Sequence, residues 1–583
     1  MKPQNKIRTF FNALFINPHH FSCIQRVEKV VKQMKYSEKI IFTIIALIFA
    51  ISGITLLYRV NNMLLVEVPA FGGSFTEGVI GSPRFINPVL AISDTDKDLS
   101  SLIYSGLLKT SQDGKLEPDL AESYTINENG TVYDFTLKED IYFHDGRKVT
   151  ADDVIFTISR VLDSIIKSPK APSWEGVLVE KTGEREVRFT LSKPYSPFLQ
   201  ALTLGILPKH VWEGVTSEEF PFSPFNIDPI GAGPYKIKKI SRNSGGIPNV
   251  ITLSSWKKYN PNQPKIKSIT FKFFQNEEDL IKAYQEQDVK SVVGLSPSAI
   301  KTINPKPDII KTSLLPRVFG VFFNQNNAQV FVNKEIREAL AISAPKQKIV
   351  DNALLGFGKI INGPTPENLE EEINLEQNIE TAKALLEKNN WKLNDDGILE
   401  KKTKTETVLF SFSISTSDTP ELRRTAEILK ETWEKLGASI SIKVFEGADL
   451  SQNVIKPRKY DALLFGEVIG PESDLLPFWH SSERNDPGLN ISLYANITVD
   501  KTLEDIQKET DLEIQALKKE EVVSEIKKDI PAIFLFSPYF LYLKAPEVKN
   551  IAFKKVSSQN ERFVFIDEWF IETNKIWKFF VKD

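Results

Sequence analysis

Five histidines and a single cysteine, Cys23, are all that these 583 residues offer for imidazole or thiol chemistry. His480 stands between Trp479 and Ser481-Ser482, an imidazole beside two hydroxyls. A working nucleophile also needs a third group that orients the base. No such partner is spaced near it, so His480 reads as a hydrogen-bonded structural residue. Asp152-Asp153 and Glu370-Glu371-Glu372 could supply paired acids. Helix capping accounts for the first and a solvated face for the second. Gly231-Ala232-Gly233-Pro234 opens like a phosphate loop, but Pro234 lacks the N–H a phosphate would need, and no Lys-Ser/Thr follows. G-x-S-x-G, H-E-x-x-H and C-x-x-C are absent. One cysteine excludes a disulfide framework and a cysteine-based zinc knuckle. The expectation is no catalytic residue, no metal and no cofactor.

The elements that would position a non-covalent site are clearer. Hydrophobic residues make up 41% and charged residues 26%, a globular mix long enough for several domains. A net charge of −3 argues against a protein that coats nucleic acid. Tyr124–Ile126 and Thr131–Leu137 flank Asn129-Gly130 and predict a hairpin. Asp145-Gly146 predicts a second turn, and Thr150 with Asp153 predicts a capped helix start. Thr419-Pro420 begins a helix whose apolar residues recur through Leu422, Ala426, Leu429, Trp433 and Leu436 up to Gly437. Ser439–Val444 alternates as a strand, a further helix is expected over 333–343, and strands over 319–324 and 460–465. Together they predict two lobes of mixed α/β character.

One stretch departs from the average. Ile40–Tyr58 is 19 residues without a charge, bracketed by Lys39 and Arg59. As a helix it spans about 28 Å, one bilayer core. The 39 residues before it carry eight basic side chains against Glu28 and Glu38, a net of +6. The positive-inside rule then keeps the N-terminus cytoplasmic and exports everything after Arg59. The long charged leader and the poor cleavage site at Val68-Pro69-Ala70 predict an uncleaved signal anchor rather than a signal peptide. Phe21, Ile24, Val27, Val31 and Met34 also recur at helical steps, which fits either a basic amphipathic helix on anionic lipid or a topogenic flank with no further role.

Several segments, in order, resemble the family 5 extracytoplasmic solute-binding proteins of ABC importers, the oligopeptide, dipeptide and nickel-binding group. They are Leu102–Leu108, Leu116–Tyr124, Gly130–Leu137, Ile141–Gly146 with Thr150–Val154, Gly231–Tyr235, Phe323-Asn324 with Val332–Leu340, and Tyr460–Ala462 with Phe478–Ser482. The resemblance implies a two-lobed periplasmic-binding-protein-like clamp, preceded by the transmembrane helix. It places a basic leader at 1–39, the anchor at 40–58 and a linker at 59–70. Lobe I would comprise 71–95, 212–305 and 535–583, with an extra subdomain inserted at 96–211, and lobe II would comprise 306–534.

The same resemblance implies a receptor and no enzyme: a monomeric, membrane-tethered protein that captures short peptides between its lobes. It would deliver them to permease and ATPase subunits, and nucleic acid would not be a partner. In peptide-binding relatives an aspartate in the loop after "Y-D-A" pairs the peptide amine. Here that loop carries Glu472-Ser473-Asp474-Leu475 where the family has "D-P-D-P". Asp474 is the expected amine partner and Glu472 the second. Phe478 and Trp479 could line a side-chain pocket, as could Phe319 and Phe322. The altered loop leaves open another solute (a chelated metal, an oligosaccharide or a signalling peptide), and the anchor leaves open a scaffold or a membrane-anchored enzyme.

Overall fold

The computed structural model describes residues 30–111, 115–195, 198–259, 263–367, 375–403, 406–470, 474–509, 511–553 and 556–580. The chain divides into an anchor unit, Met1–Pro69 with Thr573–Asp583, and a body, Ala70–Glu572. The first part of the leader's expected amphipathic helix, Glu370–Glu372 and Glu472 lie outside the described residues.

In the anchor unit, helix α1 (Tyr36–Leu64) contains the whole charge-free run and has no buried residue. Its mean hydropathy reaches 2.8, long and apolar enough to cross a membrane. Thr43 and Thr55 return their hydroxyl protons to the carbonyls of Lys39 and Ile51, both at 2.8 Å, so neither hydroxyl is left as an unpaired donor. Strand β1 (Leu65–Pro69) follows directly.

The body begins with β2 (Gly72–Ile80) and α2 (Asp94–Ile103). A four-stranded antiparallel sheet then forms from β3 (Ala121–Ile126), β4 (Val132–Leu137), β5 (Val177–Lys181) and β6 (Glu186–Leu191), in the order β3-β4-β6-β5. Ile126 pairs with Tyr133, closing the hairpin expected around Asn129-Gly130. Between β4 and β5, helix α3 (Ala151–Val161) starts at Thr150, whose N–H reaches the Asp153 carboxylate at 2.9 Å in a capping box. The adjacent Asp152 pairs with Lys181, so the two acids are spent on structure.

Beside a small three-stranded and a two-stranded sheet, most of the remaining body strands join β2 in one twelve-stranded ladder. It uses β7 (Tyr235–Arg242), β8 (Pro248–Ser255), β9 (Ile266–Phe274), β10 (Ser291–Val293), β11 (Ile310–Leu314) and β12 (Arg317–Phe323). After helix α4 (Lys334–Ile342) come β13 (Gly358–Ile360), β14 (Ser411–Ser417), helix α5 (Pro420–Trp433), β15 (Ser439–Phe445), β16 (Ala462–Val468) and β17 (Ala532–Leu543). Helix α5 runs into a 3-10 turn, Glu434–Leu436, that stops where expected: Gly437 sits at φ 89°, a left-handed position that costs a glycine nothing. Along the path the order is β15-β14-β16-β12-β17-β10-β2-β9-β8-β7, with β11 and β13 also on β17.

Strand β17 ties the two lobes together. Its sequence is apolar almost throughout, as a strand covered on both faces must be. Ala532–Phe536 pairs with β12, while Tyr539–Leu543 pairs with β11. Ser537-Pro538 lies where β17 passes from one set of partners to the other. Separate hydrophobic clusters flank this point. Phe75, Leu99, Phe135 and Trp569 belong to one side, and Val321, Leu340, Phe412 and Trp433 to the other. In the anchor unit the chain closes with β18 (Thr573–Trp577), antiparallel to β1 with Leu65 opposite Trp577.

Candidate functional site

Two stretches cross between the lobes side by side. Leu315 donates its N–H to the Pro538 carbonyl at 3.0 Å, and the buried Ser537 hydroxyl donates back to the Leu315 carbonyl at 2.7 Å. Pro538 carries no N–H to give to a ladder, yet it stays within β17 and pairs with Gly358 of β13. Above the crossing lies a cavity of about 590 Å³. Its lining includes Leu295, Ser296, Glu277 and Gln559 together with Phe319, Leu354, Leu422 and Phe465. Leu315 and Phe536–Leu541, except Ser537, contribute from the crossings themselves.

The aromatic wall is ordered. The Phe319 ring stacks on Phe536 with centroids 5.0 Å apart and planes at 13°. Among polar lining residues, Arg317 has a buried Nε without a hydrogen-bond partner, a cationic donor open to a carbonyl or carboxylate. Asp94, Glu277 and Glu421 are the acidic members of the wall. Glu277 is engaged by the Ser296 hydroxyl at 3.0 Å, and Gln559 is held by its side-chain N–H to Asp98 at 2.7 Å.

Behind Gln559 sits a fully buried ionic cluster. Arg562 donates to Asp98 through Nη1 and Nη2, both at 2.7 Å, and to Glu77 through Nε at 3.2 Å. The Tyr542 hydroxyl adds a 2.9 Å bond to Glu77. Burial pushes the Asp98 carboxyl above its ordinary pKa, against the opposing pull of Arg562.

The expected site residues fall in different places. Phe319 lines the cavity, but Phe322 lies on the opposite face of β12, because side chains alternate along a strand. Phe322 is fully buried, 6.4 Å from the ring of Trp479, which is itself fully buried against Tyr494 and Phe534. Phe478 is buried in the same cluster. Asp474 accepts from the Leu476 N–H at 3.0 Å and from the Gln507 amide at 3.1 Å, and does not line the cavity. His480 binds Ser482 through Nδ1 at 2.8 Å and faces Glu504 at 3.5 Å, a structural position.

Gly231 and Gly233 pack on the backbone of Ile103. A Cβ on Gly231 would stand 2.0 Å from the Ile103 carbonyl oxygen. His144 clamps the same turn, its Nε2 on the Gly233 carbonyl at 3.0 Å and its Nδ1 accepting from the Gly231 N–H at 3.3 Å. This is the structural turn expected in place of a phosphate loop. Burial holds the His144 pKa down at about 4, so the ring is neutral at neutral pH.

Two residues of interest escape a reading by motif. Arg317 is signalled only by being a lone charge at the start of an apolar strand. Glu467 lies on β16 between Gly466 and Val468, both of which line the cavity. It is buried, neither carboxylate oxygen has a partner, and burial pushes its pKa well above the carboxylate range. Its only sequence signal is an acid one residue from the end of an otherwise apolar strand. No group of three or more His, Cys, Asp or Glu suited to a metal occurs among the described residues.

Two α/β lobes with adjacent crossing strands and a lined cavity above them define a solute-binding clamp. Residues 115–486 match the model of the bacterial extracellular solute-binding proteins, family 5 (middle region), and the chain belongs to that family. It is therefore a binding protein of the ABC-importer class and not an enzyme. It is 29% identical over 484 residues to the oligopeptide-binding protein AppA of Bacillus subtilis strain 168, covering 81% of this chain and 87% of AppA. The structure of that AppA in complex with a nonapeptide superposes with a TM-score of 0.65 at 27% identity, over 87% of this chain and 100% of AppA. NikZ from Campylobacter jejuni, in complex with Ni(L-His), shares the fold with a TM-score of 0.65 at 24% identity, over 85% of this chain and 99% of NikZ.

Proposed function

We propose that this chain is a membrane-tethered receptor that captures short peptides in the cavity between its lobes and passes them to the permease and ATPase subunits of an ABC importer. The observation that carries the reading is the cavity itself, lined from both lobes and set on the two crossings. A rotation about Leu315-Pro316 and Ser537-Pro538 would close it on a ligand. We take the lobes to have the boundaries implied by the family resemblance, and the separate hydrophobic clusters support that division. Arg317 would meet a ligand carbonyl or carboxylate, and Phe319 on Phe536 would pack against a side chain. Asp474 is the proposed amine partner, reached if its loop turns away from Gln507. Helix α1, with the basic leader before it, would hold the receptor single-pass, with its N-terminus cytoplasmic and its body outside. Tethering raises the effective concentration of receptor at the permease.

Native mass spectrometry of the full chain in detergent, followed by denaturing release, tests the ligand. A ladder of peptide masses is expected, with occupancy reduced by Arg317→Met and by Asp474→Ala. A single non-peptide mass would overturn the peptide reading and keep the clamp. Occupancy unchanged by Asp474→Ala would remove that residue from the site.

A further inference from the structure

We propose that the C-terminal segment Thr573–Phe580 is a second contact with the membrane, an aromatic foot seated in the lipid headgroup layer. This rests on the reading of α1 as a membrane span. The charge-free run ends at Tyr58, yet α1 continues to Leu64. Asn61, three residues past Tyr58, is about 4.5 Å further along the axis at the helical rise of 1.5 Å per residue. The headgroup layer on each side of a bilayer is roughly 5–7 Å thick, so Asn61 lies within it. The Trp577 indole Nε1 donates to the Asn61 side-chain oxygen at 2.9 Å, which fixes that ring at the same depth.

The rest of the segment is built to stay there. Strand β18 pairs with β1 along its whole length, from Pro69 opposite Thr573 to Leu65 opposite Trp577. The chain then turns through Lys578–Phe580, and the Phe580 ring stacks 6.4 Å from Trp577 at 23°. Trp577 is 46% exposed, Phe579 76% and Phe580 71%. Three large rings within four residues facing water would be a costly surface. At the interface their apolar bodies enter lipid, and the indole N–H keeps a polar partner. Lys575 and Lys578 flank the rings, and Arg59 stands at the foot of the same helix, so the segment carries positive charge toward anionic headgroups. The occupant is the lipid surface, because Trp577 is bonded to a helix whose apolar side chains beside Asn61, Val60 and Met63, are themselves exposed.

The test uses the full chain with Cys23→Ser, reconstituted in phosphatidylcholine–phosphatidylglycerol vesicles. One nitroxide label is placed through Phe579→Cys, Ile48→Cys or Ser244→Cys. Collision with oxygen, which concentrates in lipid, is compared with collision with a water-soluble nickel chelate. The label at 579 is expected to show a several-fold higher oxygen-to-nickel ratio than the label at 244, an exposed turn of the body, and a lower one than at 48. A ratio at 579 equal to that at 244, with 48 reading as hydrocarbon, overturns the foot and leaves the anchor standing. Low collision with both reagents at 579 marks a protein cover and also overturns it. An aqueous reading at 48 removes the anchor, and the foot with it.

Discussion

Arg562→Met should be the most damaging single substitution in the body. The guanidinium is fully buried and serves two carboxylates, Asp98 and Glu77, that are buried with it. Removing one partner of a buried ion pair costs about 3–5 kcal/mol, because the remaining charge is left in a medium that cannot solvate it. Here two acids lose their partner, so the loss should lie at or above the top of that range. Burial already raises the pKa of Asp98, and Arg562 opposes that rise. With Arg562 gone Asp98 moves higher still, and binding a proton relieves the strain. The deficit should therefore be smallest near pH 4 and grow as pH rises through the carboxylate range. The assay is urea unfolding of the full chain in detergent, followed by tryptophan fluorescence. Trp569 packs 5.8 Å from Phe563, next to Arg562, and reports on this region. A companion variant, Glu77→Gln with Asp98→Asn and Arg562→Met, removes every charge and should recover most of the loss. A deficit below about 1 kcal/mol, or one that does not depend on pH, would refute the argument. So would a triple variant as unstable as the single one.

Three further outcomes follow from the structure. The folded-state pKa of His144 is depressed to about 4 from an unfolded 6.5, so its contribution is present above pH 6.5 and lost as pH falls toward 4. The full effect is roughly 3 kcal/mol, read as a fall in wild-type urea midpoint over that window that His144→Phe lacks. Glu467 has a folded pKa raised by burial, so the body loses stability as pH climbs above the usual carboxylate range. Glu467→Gln should be more stable than wild type at neutral pH and indistinguishable near pH 4; no gain at neutral pH would mean that a cation already neutralises the acid. Phe319→Ala should weaken binding of the peptides released from the native protein by about tenfold, the scale of a buried aromatic contact, measured by titration calorimetry.

Local structure was legible because it rests on short-range chemistry. Thr150 and Asp153 form their capping box whatever surrounds them, and Gly437 stops the turn after α5 for a reason contained in its own backbone. The cavity was less legible because it depends on which face of a strand survives as core. Phe319 and Phe322 have the same residue type and differ by three positions, an odd step that sends one to the cavity and the other into the interior. The Phe478-Trp479-His480 run marks the family, but it does so by packing Trp479 inside the second lobe. Arg317 and Glu467 carry no motif. Their significance comes from unsatisfied atoms, a property visible only once neighbours are placed.

The ionic cluster also sets an order of events. Glu77 and Arg562 are 485 residues apart, and β17 reaches its place beside β10 and β11 only after most of the body has been made. The strands from β12 to β16 and the helices between them lie within one continuous stretch, 317–468, and need only the start of β17 to complete their sheet. On the proposed topology and lobe boundaries, with the body exported behind α1, the second lobe can assemble as it emerges. The first lobe must wait with Glu77 and Asp98 unpaired until Arg562 has crossed. Long-range closure of this kind is slow and leaves apolar strands open meanwhile. On that topology the helix proposed as the tether would also hold an unfinished lobe at the membrane surface, one copy to each anchor, while its last partner arrives.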